Sequence, residues 1–199
     1  IKIPVALPND VAAPDVQAEV SLATTRLLEL GPTLAALSTY PYGCTEQTAS
    51  AMLAGIAAAG PRLGAIHPGA ARRDHVEAGV LKLAARQRTD GSFGYWTATS
   101  SGYPWASVHA TWVLAKADAA GFEVPDRVLA AALTHVRDLA TRAPEPDEWP
   151  WERDTRRFAA WALADVDALE GEVPERASQR VKGETTPRVS VLEVLRRHA

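Results

Sequence analysis

Cys44, the single cysteine of the chain, stands three residues ahead of Gln47 in the run Tyr40-Pro-Tyr-Gly-Cys-Thr-Glu-Gln-Thr-Ala-Ser50. A thiolate is the nucleophilic form of cysteine, and a glutamine at this spacing can fold back so that its side-chain carbonyl meets the sulfur. Attack of sulfur on that carbonyl expels ammonia and leaves an internal thioester, an acyl group far more electrophilic than the amide it replaces. An amine or hydroxyl that then attacks the former glutamine carbonyl is joined covalently to the chain, and a free thiol is released. The plain alternative is a small buried cysteine at the start of an Ala-rich helix, as free cysteines often are. A second alternative is a cysteine hydrolase pairing Cys44 with His109, which needs sulfur and imidazole within hydrogen-bond reach.

The remaining composition narrows the chemistry. His67, His75, His109, His135 and His198 are scattered singly, so no Cys/His cluster has zinc spacing, and neither metal nor cofactor is expected. A net charge of -3, from 24 acidic and 21 basic residues, offers no basic footprint for nucleic acid. Hydrophobic residues make up 47% and charged residues 23%, and no window reaches the roughly 18 apolar residues of a membrane span. The opening IKIPVALPND has no initiator Met, charged n-region or long h-region, so it reads as part of an excised piece without a signal peptide.

The elements that must position Cys44 and Gln47 are helices. Residues 1–16 alternate apolar and polar with prolines at 4, 8 and 14, an extended lead-in to a domain at 17–199. From Val20 the apolar spacing is helical and is interrupted at Gly31-Pro32. Helices are then expected at Thr48 to Ala59, at Val76 to Gln87 with Val76, Val80 and Leu83 on one face, and at Trp105 to Ala119. Leu129, Ala132, Leu133 and Val136 repeat the spacing, and Phe158, Trp161, Ala162, Val166 and Leu169 repeat it after the connector PEPDEWPW. A short last helix falls near Val189 to Arg197. No stretch supports a core strand, so the class is all-α, with hairpins of medium helices joined by short loops.

One loop is particular. Gln87-Arg-Thr-Asp-Gly-Ser-Phe-Gly-Tyr-Trp96 carries the turn pair Asp90-Gly91, with Phe93, Tyr95 and Trp96 as aromatic plugs. It resembles the Gln-x-x-Asp-Gly-Ser-aromatic turn of α/α-toroid proteins, in which hairpins arranged in a ring are tied together at such loops. About eight helices fall short of the dozen or so that a full ring needs, so a partial toroid is expected.

Gly43-Cys44-x-Glu46-Gln47 is similar to the thioester signature of the α-2-macroglobulin and complement family. The fuller YPYGC-x-EQT-x-S wording resembles its bacterial branch, and the order of the later features agrees: the turn, then Gly102-Tyr-Pro-Trp-Ala-Ser-Val-His-Ala-Thr111 leading into a helix. The resemblance implies an α/α-toroid thioester domain inside a much larger protein of β-sandwich domains, periplasmic or envelope-attached, that traps proteases or tags surfaces. Neighbouring domains and proteases are then its partners. On that pattern Cys44 supplies the sulfur, Gln47 the acyl carbon, and Glu46 positions the loop or assists proton exchange. Tyr40, Pro41 and Tyr42 shield the bond, because a thioester open to water hydrolyses uselessly.

Two departures from the family bear on this expectation. Thr45 stands where animal members usually have Gly, so the turn is made with a β-branched side chain. Complement members that favour hydroxyl groups place a His farther along, but Asp147 to Ala160 holds none, and His109 and His135 fit helix faces. Direct attack by lysine amines is therefore expected. A toroid enzyme of the terpene-cyclase or prenyltransferase kind is a further rival, suggested by the many aromatics. Such enzymes need an acidic magnesium motif or a zinc triad, which this sequence lacks, so the aromatics are read as core and loop plugs. PEPDEW reads as a solvated loop, and Arg153, Arg156 and Arg157 as one exposed helix face.

Overall fold

Helix starts follow local signals in the chain. In the computed structural model, which describes residues 33, 36, 37, 43–59, 71–143, 145 and 147–172, α1 runs Thr45–Ala59 and begins directly after Cys44. Helix α2 runs Ala71–Arg86, α3 Pro104–Ala119, α4 Asp126–Thr141 and α5 Pro150–Glu172. Pro104 and Pro150 occupy first helical positions, where a missing N–H costs nothing. At α5 the Glu152 carboxylate reaches back to accept a 2.9 Å hydrogen bond from the Trp149 N–H. This cap starts α5 well ahead of the expected Phe158. The lead-in 1–16, most of the helical stretch from Val20, and the helix near Val189 lie outside the described residues.

The described fold is all-α, in line with a partial toroid. Among the described residues the extended pairings are two isolated antiparallel bridges, Gln87 with Phe93 and Gly94 with Gly102, both inside the α2–α3 connection. Helix α3 is buried on nearly every face, from Ala106 through Thr111 and on to Ala117. A helix of that kind must be surrounded. It packs against α1, α4 and α5, while α1 also pairs with α2 and α4 with α5. One core joins Met52, Val76, Val80, Leu83, Phe93, Val113, Leu114 and Leu133, and a second joins Val108, Val136, Leu139 and Ala162. The periodic positions on α2 and α4 point inward as their spacing predicted.

Two sequence expectations are corrected. Trp105, Trp149, Trp151 and Trp161 are exposed instead of plugging the core, and Trp112 is half-buried. On α3 and α5, His109, Trp105, Phe158, Trp161 and Trp112 form a closed circuit of ring contacts with centroids 5.3–6.0 Å apart. The rings cover one another and the helix seam, with His109 buried among them and Trp105 and Trp161 exposed to water. Arg156 and Glu148 are also misread from sequence: their side chains are 7% and 9% exposed and form a bidentate ion pair, while Arg157 stays exposed. The pairing lets both charges leave water.

Candidate thioester site

Cys44 is a free, buried cysteine at the mouth of α1. Its carbonyl accepts from the Thr48 N–H at 2.9 Å, which makes it the residue that opens the helix. Gln47 lies one turn along, and its side chain turns back toward Cys44. Its side-chain oxygen Oε1 accepts from the Cys44 N–H at 3.1 Å, and its own backbone N–H donates to Cys44 Sγ at 3.5 Å. The two residues are thus paired reciprocally, and the amide oxygen already faces a backbone donor at Cys44. A donor in that position stabilises negative charge on the oxygen when a nucleophile adds to the carbon. The N-terminal helix dipole acts in the same direction.

The α2–α3 turn forms the other wall. Thr45 N–H donates to the Tyr95 carbonyl at 3.0 Å, and the buried Thr45 hydroxyl donates to the Gly94 carbonyl at 2.7 Å. The β-branched residue that departs from the family's Gly is thus a tie between α1 and the turn. The Tyr95 pKa is held above its ordinary value, first by the interaction of its hydroxyl with the Cys44 side chain and by the sulfur's charge, then by burial and nearby Glu46. Tyr95 makes edge contacts with Trp96 and Tyr103 at 5.3 and 6.4 Å. From α2, Arg86 donates to the Gly43 carbonyl at 2.7 Å and to the Thr48 hydroxyl at 3.1 Å. Burial pulls its pKa down, opposed by the charge of Cys44, and the guanidinium stays a cation at neutral pH.

The turn holds its shape through its own residues. Gln87 Nε2 donates to the Val128 carbonyl of α4 at 2.8 Å, and Asp90 accepts from the Ser92 N–H and hydroxyl. Gly91 has φ +80, and a Cβ there would lie 2.3 Å from the Ala131 carbonyl oxygen, so only glycine fits. Phe93 is fully buried and anchored by Ser107, whose Oγ accepts its N–H at 3.0 Å. Of the three aromatics expected to plug this turn, Trp96 is the one that is exposed. It is 56% exposed, because the chain turns outward again at Thr97–Ser100.

The other sequence candidates fall elsewhere. Tyr40, Pro41 and Tyr42 lie outside the described residues. Glu46 is half-buried in the first turn of α1 and makes no hydrogen bond or ion pair among the described residues. His109 does not reach Cys44: its Nε2 sits 3.2 Å from Ser50 Oγ, and its ring is held between Trp105 and Trp112. The Cys44–His109 pair expected of a hydrolase is therefore not formed. Among the described residues no three His, Cys, Asp or Glu side chains converge as a metal site, and no helix is long and apolar enough to cross a membrane. Arg86 and the sulfur contact of Tyr95 went unnoticed in the sequence, although Tyr95 stands within the conspicuous turn.

No family model matches the chain. An alpha-2-macroglobulin of Xylella fastidiosa is 33% identical over 138 residues, which is 67% of this chain and 8% of that protein. A structure of native alpha-2-macroglobulin from Escherichia coli, spanning domain MG7 to the C-terminus, superposes with a TM-score of 0.60 over 85% of this chain and 28% of that one, at 21% identity. The chain belongs to the bacterial alpha-2-macroglobulin family. Salmonella alpha-2-macroglobulin reacted with methylamine has the same fold, with a TM-score of 0.57 over 77% of this chain and 11% of that one, at 24% identity. Within this bacterial alpha-2-macroglobulin family, the chain spans less than a tenth of the length of the Xylella relative.

Proposed function

We propose that Cys44 and Gln47 form an internal thioester that captures attacking proteases covalently. The observation that carries this is the fold-back of Gln47, whose side-chain oxygen meets the Cys44 N–H while its backbone N–H meets the sulfur. Sγ–H adds to the Gln47 side-chain carbonyl, the C–N bond breaks, and ammonia leaves with the thiol proton. A lysine amine of the target later attacks the same carbon. The C–S bond breaks, its electron pair goes to Sγ, and the amine's proton passes to the released sulfur or to water. Each molecule reacts once, so the protein is an inhibitor-type acyl donor and not a turnover enzyme.

Family membership supports the protease as target, and methylamine treatment of the Salmonella relative points to amines as the reacting class. Amines attack directly here, because no imidazole stands at Cys44 among the described residues. Glu46 and the Tyr95 hydroxyl handle proton exchange at the sulfur. Tyr40, Pro41 and Tyr42 join Tyr95 in keeping water off the bond until the target is engaged. Residues 17–199 act as one thioester domain, led in by residues 1–16, within a larger envelope or periplasmic protein whose neighbouring domains complete the shield.

Exposure of the full-length protein to trypsin tests the reading. The expected result is a conjugate that survives boiling in detergent and yields a cross-linked peptide joining Gln47 to a trypsin lysine, absent from Cys44→Ala. Detergent-labile trapping alone, with Gln47 recovered unmodified, contradicts it.

A further inference from the structure

Arg86 is the last residue of α2, and its guanidinium brackets the reacting pair. One amine donates to the carbonyl of Gly43, immediately before Cys44, and the other to the hydroxyl of Thr48, immediately after Gln47. The bracket is tight. A Cβ at Gly43 would lie 3.0 Å from the Thr48 hydroxyl oxygen, so a side chain there would push against the group that Arg86 holds. The arginine's own backbone carbonyl accepts from the Gly94 N–H at 3.0 Å, and Gly94 in turn accepts the Thr45 hydroxyl. No carboxylate among the described residues forms an ion pair with this guanidinium. Among those residues its charge meets no carboxylate partner, and the Cys44 sulfur, whose charge acts on this guanidinium, is the group on which negative charge develops in the chemistry.

We infer that Arg86 is a positioning residue for acyl exchange at Cys44, holding the chain on both sides of the 44–47 turn and presenting a fixed positive charge to the departing sulfur. The assignment rests on the thioester reading above. When an amine adds to the Gln47 carbonyl carbon and the C–S bond breaks, the electron pair moves to Sγ. A cation fixed beforehand needs no reorganisation to meet that charge. The planar fork matters as well, since two acceptors five residues apart must be held at once, which an ammonium point charge does less well.

The test compares the full-length wild type with Arg86→Lys and Arg86→Met, each checked for folding by circular dichroism. Two quantities are read: the thioester content, from the ammonia deficit in intact mass, and the second-order rate of methylamine cleavage of the thioester that has formed. The expected result is a rate about tenfold lower for Arg86→Met, smaller than for a fully enclosed donor because Arg86 is only partly shielded from water. Arg86→Lys should recover most of the rate. A folded Arg86→Met that carries no deficit, beside wild type and Arg86→Lys that do, also supports the assignment. Should Arg86→Met not fold, Arg86→Gln replaces it with the same expectation. A neutral variant that forms the thioester and reacts at the wild-type rate overturns the role of Arg86 alone. A wild type without the deficit overturns the thioester itself, and the role of Arg86 with it.

Discussion

The hydroxyl of Thr45 donates a 2.7 Å hydrogen bond to the carbonyl of Gly94, across 49 residues of chain, and both groups are buried. With the Thr45 N–H on the Tyr95 carbonyl, it fixes the first turn of α1 against the α2–α3 turn, so that sulfur, Gln47 amide and aromatic wall keep one arrangement. Thr45→Val keeps shape and volume while leaving the Gly94 carbonyl without that donor. An unsatisfied buried acceptor costs about 1–3 kcal/mol. Urea titration should show a loss of that size for Thr45→Val and a much smaller one for Thr45→Ser.

Gly91 makes a backbone demand instead of a side-chain one. At φ +80 with the Ala131 carbonyl 2.3 Å from any added Cβ, Gly91→Ala incurs both conformational strain and a contact that only a shift of the turn can relieve. A loss of about 2–4 kcal/mol is expected, above the usual about 1–3 for strain alone. Because Gln87 binds the Val128 carbonyl through the same turn, the α2–α4 junction should loosen with it. Amide exchange in residues 87–94 should speed up in the variant before exchange in the core of α3 does.

The buried pair of Arg156 and Glu148 is weak evidence for stability when intact and a strong liability when halved. Arg156→Met should cost about 3–5 kcal/mol by leaving a buried carboxylate uncompensated. The double variant Arg156→Met, Glu148→Leu should regain most of that loss in chemical denaturation. Equal losses in the single and double variants would show that the charge pairing is not the cause.

His109 gives the fold a pH dependence. Burial lowers its pKa below 6.5, and it faces the Ser50 hydroxyl and the rings of Trp105 and Trp112, with no acidic partner among the described residues. The unfolded chain then binds the proton more readily, so stability falls as pH drops below 6.5 and the loss is complete below the lowered folded value. His75, also lowered by burial, adds in the same window. Asp90 and Asp165, held below 3.8, act only at lower pH. Between about pH 7.5 and about pH 5 the melting temperature should fall, and His109→Gln should flatten the slope.

What could be read from sequence was what is local. The apolar period placed Val76, Val80 and Leu83, and likewise Leu129, Ala132, Leu133 and Val136, on faces that are buried. The three-residue spacing of Cys44 and Gln47 implied a fold-back toward the sulfur, whereas the hydrogen bond sets the Gln47 oxygen on the Cys44 backbone N–H. The partners of Thr45, Arg86 and Arg156 were not legible, because each is set by how separate segments are brought into register. Arg86 reaches back 43 residues to Gly43. Exposed tryptophans were misjudged for the same reason: residue type favours burial, but which side of α3 and α5 is covered depends on neighbours that periodicity does not name.

The central claim is the bond between Cys44 and Gln47, and the intact mass of freshly purified full-length protein tests it most directly. The account predicts a mass short by one ammonia in the wild type and unaltered in Cys44→Ala. Methylamine should then add one methylamine to the wild type and expose one titratable thiol at Cys44. A wild type of unmodified mass, with the Cys44 thiol titratable from the start in denaturant and no methylamine taken up, would contradict it.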